Sequence, residues 1–140
     1  MLYFIAHVFS GESAEHHNKL RRDLYQRFNT KPLYRTIPPH ITLKAPFKAE
    51  KHVHKLEKTL RRFTEVHEPS WYSINGFGHF GTRVHYLNVI PSLEMECVVK
   101  ELQTALKALT WLPFEKYEGV GPPVPNGPVR AGEITFHSTL

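Results

Sequence analysis

The sequence predicts an α+β fold of two lobes, each built on a strand-helix-strand unit, with a cleft where the lobes meet. Two observations carry this expectation. Strand-like and helix-like periodicities alternate along the 140 residues, and each unit ends in a short His-x-Thr motif, His40-Ile41-Thr42 in the first and His137-Ser138-Thr139 in the second. A duplicated unit of this kind predicts lobes related by a pseudo-twofold axis, with the motif strands facing each other.

The elements follow in order. Residues 3–9 are an apolar run of strand length. Ser10-Gly11-Glu12-Ser13 offers helix-capping residues, and Leu20, Leu24 and Phe28 recur every fourth position, as one helical face requires. Pro38-Pro39 stops any helix and feeds an extended segment from Ile41 to Ala45. Val53, Leu56, Leu60 and Phe63 define a second helix. Trp71 to Phe80 and Val84 to Ile90 are β-rich, and Gly81-Thr82 suits a two-residue hairpin loop. Such a loop pairs Phe80 with Arg83 and His79 with Val84, which sets His79 and His85 on opposite faces. Ser92 caps a third helix, with Glu94 and Glu96 in its first turn and Val98, Leu102, Ala105 and Leu109 on its inner face. Residues 113–132, rich in Pro and Gly, read as a long loop, and Glu133 to Leu140 as the last strand.

Composition narrows the class. With 41% hydrophobic and 22% charged residues, the chain has the balance of one globular domain over residues 1–140. The single cysteine, Cys97, excludes an internal disulfide framework and fits a reducing compartment, so a cytoplasmic protein is expected. The apolar opening Leu2 to Phe9 is too short for a membrane span and lacks the features of a secretory signal, so no membrane partner is expected. A net charge of +5 favours anionic partners.

The motifs carry the chemistry. Strand side chains alternate, so His40, Thr42 and Lys44 share one face while Ile41, Leu43 and Ala45 turn to the core. Likewise Thr135, His137 and Thr139 oppose Ile134, Phe136, Ser138 and Leu140. Two imidazole–hydroxyl pairs across a cleft can manage an in-line displacement at phosphorus without metal. One ring takes the proton of the attacking group, the other protonates the leaving oxygen, and the hydroxyls hold the non-bridging oxygens. Each tripeptide alone is a weak signal; the shared context, on the second strand of each unit, does the discriminating.

Other residues are candidates of lower rank. Lys44 shares the expected cleft face and could neutralise phosphate. Phe80, Tyr86 and Trp71 could stack a base, although most strand aromatics are simply core. Arg130 lies before the second motif and reads as a solvated loop arginine. Of the remaining histidines, His52 and His54 diverge on a helix, and His16-His17 reads as an exposed helical pair. No metal site and no cofactor are expected.

The segments Pro38-Pro39-His40-Ile41-Thr42-Leu43-Lys44-Ala45-Pro46-Phe47, Gly76-Phe77-Gly78-His79-Phe80, Val84-His85-Tyr86-Leu87-Asn88-Val89 and Phe136-His137-Ser138-Thr139-Leu140, in this order, resemble the 2H phosphoesterase superfamily. The nearest branch is the bacterial and archaeal 2′-5′ RNA ligase-like proteins, which act as RNA 2′,3′-cyclic phosphodiesterases. The resemblance implies two antiparallel sheets lining the central cleft with helices outside, His40 and His137 as the catalytic pair, and Thr42 and Thr139 as phosphate holders. It implies as substrates the cyclic-phosphate ends of RNA, or cyclic nucleotides. Run in reverse, the same site would join 2′-5′ ends. The alternative is a non-catalytic nucleotide- or RNA-binding module that uses both motifs as a phosphate clamp. A monomer is expected. Ser138 stands where the family places an apolar residue, on the core side, where no effect on chemistry is expected. The motif ends at the chain's last residues while the family continues, so a longer natural polypeptide is expected.

Overall fold

The computed structural model describes residues 1–114 and 136–140. Most of the Pro/Gly-rich segment, Arg130 and the expected start of the last strand at Glu133 to Thr135 lie outside the described residues. The order is β1 (Tyr3–Val8), α1 (Gly11–Phe28), α2 (Leu33–Thr36), β2 (His40–Phe47), a 3-10 turn (Glu50–His52), α3 (Val53–Val66), β3 (Tyr72–Phe80), β4 (Val84–Pro91), α4 (Leu93–Lys107) and β5 (Phe136–Thr139). The one-turn α2 was not anticipated. The fold is α+β, with an antiparallel sheet β1-β2 and a second antiparallel sheet in the order β3-β4-β5. β2 packs against β5, so the two motif strands are neighbours.

The duplication is looser than expected. β3 follows the first lobe in the chain but forms the edge of the second sheet, paired to β4. The hairpin loop also differs. Phe80 pairs with Val84 and His79 with His85, leaving Gly81, Thr82 and Arg83 as a three-residue loop. Gly81 takes a positive φ of 56°, a conformation glycine adopts without a Cβ clash. The longer loop shifts the register by one, so His79 and His85 share a face, with ring centroids 6.3 Å apart.

Packing forms two apolar clusters. In one, Phe47, Ala49 and Leu56 meet Leu102, Leu106, Leu109 and Leu112, with Val53, Leu60 and Phe63 of α3 against them. In the other, Phe9, Ile41, Val89 and Phe136 from the strands meet Met95 and Val99. Each fully buried aliphatic side chain contributes about 1.5–3 kcal/mol. The α3 face is the anticipated one. On α4 the buried stripe is Met95, Val99, Leu102 and Leu106, while Val98 and Ala105 are only half-buried flanks. The stripe is turned by about one position, so Met95 and Val99 join the cluster of Ile41 and Phe136, and Leu102 and Leu106 that of Phe47 and Leu56. Ser92 caps it as expected: its hydroxyl accepts from the Met95 N–H at 3.0 Å.

α1 departs most from hydrophobic periodicity. Phe28, expected on its inner face, is 70% exposed, and the buried residues are His17 and Arg21. His17 is therefore not part of an exposed pair. Polar side chains win the inner face because β5 supplies them with partners.

Candidate active site

His40 opens β2. Its Nδ1 lies 2.8 Å from the Pro38 carbonyl, which can only accept, so Nδ1 carries the proton. The Phe4 ring packs at 5.2 Å. Ile41 beside it is fully buried and Thr42 is exposed, so the motif presents imidazole and hydroxyl on one face. Beyond this point the alternation breaks. Ala6 pairs with Thr42 but Ile5 pairs with Lys44, so Leu43 is an extra residue in β2. A bulge of this kind turns the following side chain to the opposite face. Lys44 therefore leaves the cleft face. It is 3% exposed, with its ammonium 4.8 Å from the Phe114 ring centre and 5.4 Å from that of Phe47. The expectation that Lys44 shares a face with His40 is corrected on this geometry.

The second motif alternates as expected. His137 and Thr139 pair with Asn88 and Tyr86 and share one half-buried face, while Phe136 and Ser138 are buried on the other. His137 sits between the rings of Phe80, edge-on at 5.2 Å, and Tyr86 at 5.1 Å. Tyr86 itself is 3% exposed and lies over Gly78, where a Cβ would come within 2.4 Å of the ring. That ring is spent on His137 and Phe80, so Tyr86 is no platform for a base. It supports the His137 ring, and glycine at 78 makes the close approach possible. Phe80 remains part exposed beside His137. Trp71, 86% exposed, lies just before β3, at the end of that strand away from Phe80.

Burial lowers the His137 pKa from its usual 6.5, and the charge of His40 lowers it further. His17 feels the same group. Its pKa falls to about 4, chiefly through burial, then through the Arg21 charge, with His40 a smaller cause.

Behind the second motif lies a polar layer that periodicity did not reveal. His17 Nε2 is 2.8 Å from the Ser138 hydroxyl, both groups buried, and His17 Nδ1 has no partner among the described residues. The Arg21 guanidinium donates through Nε and Nη2 to the Thr139 carbonyl, at 3.1 and 2.7 Å, and through Nη1 to the Ile37 carbonyl at 2.6 Å. One signal in the sequence pointed here: Ser138, a hydroxyl on the core side of a strand, requires a buried partner. A second link joins the sheets, where His7 of β1 and the Tyr72 hydroxyl of β3 meet at 2.9 Å. The same-face pair His79 and His85 lies on the side of β3-β4 away from His137, and no group of three metal-ligating side chains occurs among the described residues.

Two small antiparallel sheets thus bring the two strands that carry the His-x-Thr motifs side by side. Residues 9–140 match the model of the 2′-5′ RNA ligase superfamily, and the chain belongs to that superfamily. It is also 37% identical over 78 residues to a protein of Geobacillus kaustophilus (strain HTA426) named as a phosphoesterase. That alignment covers 54% of this chain and 45% of the relative, so the chain spans less than half the length of the curated protein it matches.

Proposed function

We propose that the chain is a metal-independent phosphoesterase that opens 2′,3′-cyclic phosphates at RNA ends or on nucleotides. The observation that carries this reading is the adjacency of β2 and β5, with His40 and His137 close enough for the charge of one to lower the pKa of the other.

In this reading the neutral His137, the ring whose proton is driven off by burial, takes a proton from the attacking water. The water oxygen bonds to phosphorus, and the bond to one ribose oxygen breaks. His40, protonated, returns a proton to that oxygen and leaves a phosphate monoester. The hydroxyls of Thr42 and Thr139 donate to the non-bridging oxygens, and the Phe80 ring borders the substrate. A 5′-hydroxyl in place of water would join two RNA ends by the same step.

The test is a panel of 2′,3′-cyclic nucleotides and short cyclic-phosphate RNAs, with products identified by phosphorus NMR. Turnover to a monoester is expected, and His40→Ala and His137→Ala each lower kcat by at least about 10²-fold with unchanged circular dichroism. Tight binding of the same RNAs without turnover would instead make the motifs a phosphate clamp.

A further inference from the structure

We infer that Arg21 of α1 is a positioning residue that sets the separation of the two His-x-Thr motifs by gripping at once the backbone of β5 and that of the segment leading into β2. The inference rests on the two-histidine reading above and adds to it a residue outside both motifs.

Arg21 is 2% exposed, and three of its donors end on two carbonyl oxygens. Those carbonyls belong to the two segments that must meet. Ile37 immediately precedes Pro38-Pro39-His40, and Thr139 is the last residue of the second motif. Proline fixes φ near −65°, so the path from Ile37 to His40 has few free torsions, and the Pro38 carbonyl holds the His40 ring directly. Anchoring Ile37 therefore anchors His40. On the other side, Thr139 continues an extended strand whose register against β4 places His137 opposite Asn88. One planar guanidinium thus ties the segment that leads into His40 to the strand that carries His137.

Arginine suits this task because its donors form a rigid planar fork. A lysine ammonium is a point charge that cannot hold two carbonyls at fixed angles. His17, one helical turn earlier, adds a grip on Ser138 from the same face of α1. This also accounts for polar residues on the inner face of α1, where the apolar pattern predicted Leu20, Leu24 and Phe28. Since the Arg21 donors are directed at backbone oxygens, its effect on chemistry passes through the placement of His40 and His137. A misplacement of about 1 Å can cost on the order of 10²-fold in rate.

The experiment compares the wild-type chain with Arg21→Ala and Arg21→Lys, using a 2′,3′-cyclic mononucleotide as the probe. Both variants should lose about 10–100-fold in kcat with KM changed by less than about 2-fold. Methylguanidinium should restore activity to Arg21→Ala and not to Arg21→Lys. Where Arg21→Ala does not fold, Arg21→Lys, which keeps the charge and most of the stem, is read alone. Full activity in Arg21→Lys, or a rise in KM with kcat unchanged, overturns the inference, since either places the charge and not the fork at work. Proton NMR of the ring resonances reads the geometry without turnover. The His137 titration midpoint, lowered in the wild type, should move up in both variants as His40 and solvent exclusion press on it less. An unmoved midpoint overturns the inference, even where the wild-type protein turns over no cyclic nucleotide; that second result alone would count against the proposed activity.

Discussion

His17 shows how one residue can link stability to the site. Buried against Ser138 and beside Arg21, its ring is held neutral, with a pKa of about 4 against an ordinary 6.5. The folded value lies below the unfolded one, so the unfolded chain takes up the proton first. Stability is complete above about pH 6.5 and drains away as pH falls toward 4. At pH 4.5 the loss from this group is about 2–3 kcal/mol relative to pH 7.5, a large share of a small domain's stability. His17→Asn should flatten that acid-side decline. Urea unfolding of both proteins at the two pH values measures it, and equal declines would show that other groups, such as His7, whose pKa is also lowered by desolvation, carry the effect. Ser138 is the residue-scale correction. Its core-side position was legible from strand alternation, but its role in seating His17 was not, because the partner lies 121 positions earlier in the chain.

At the scale of elements, α4 follows its sequence signals and α1 does not. The Ser92 cap and the acidic first turn act along one helix, so local pattern suffices to find them, while the apolar stripe lies about one position from its expected place. Ser92→Ala removes the acceptor of the Met95 N–H and should cost about 1 kcal/mol, read as a lowered denaturation midpoint with kcat unchanged. A midpoint equal to wild type would mean that water replaces the cap without loss. β2 is intermediate. Its first three residues obey the alternation that sets His40 and Thr42 together, and the bulge at Leu43 then buries Lys44. A bulge depends on what the partner strand can accommodate, and β1 lies about thirty residues earlier. The hairpin loop erred for a similar reason: both two- and three-residue loops accept Gly at 81, and only pairing along the whole of β3 and β4 chooses between them.

For the whole molecule, two neighbouring imidazoles should produce a bell-shaped pH dependence of kcat/KM. Activity should rise as His137 loses its proton, with the acid limb below pH 6.5 because burial and the His40 charge both lower it. It should fall again at high pH, where no proton remains to be given to the leaving oxygen. The same reaction should persist in EDTA, since the two-histidine reading routes both proton transfers through imidazole rings. Activity lost to the chelator and restored by one divalent ion would replace the two-histidine mechanism with a metal-assisted one. Among the described residues no helix is long and apolar enough to cross a membrane.

Much of the site was determined by the sequence alone. The α+β class, the strand faces that pair His40 with Thr42 and His137 with Thr139, and the membership of a two-histidine superfamily all follow from local periodicity and short motifs, which need only neighbours a few residues apart. The tertiary structure decided the rest: that β3 joins the second sheet, that Tyr86 is spent on His137, that Lys44 turns inward, and that His17 and Arg21 turn toward β5. Each of these depends on contacts between segments far apart in the chain. The energy that turns a buried polar side chain inward resides in its distant partner and leaves no mark on its own neighbours in sequence.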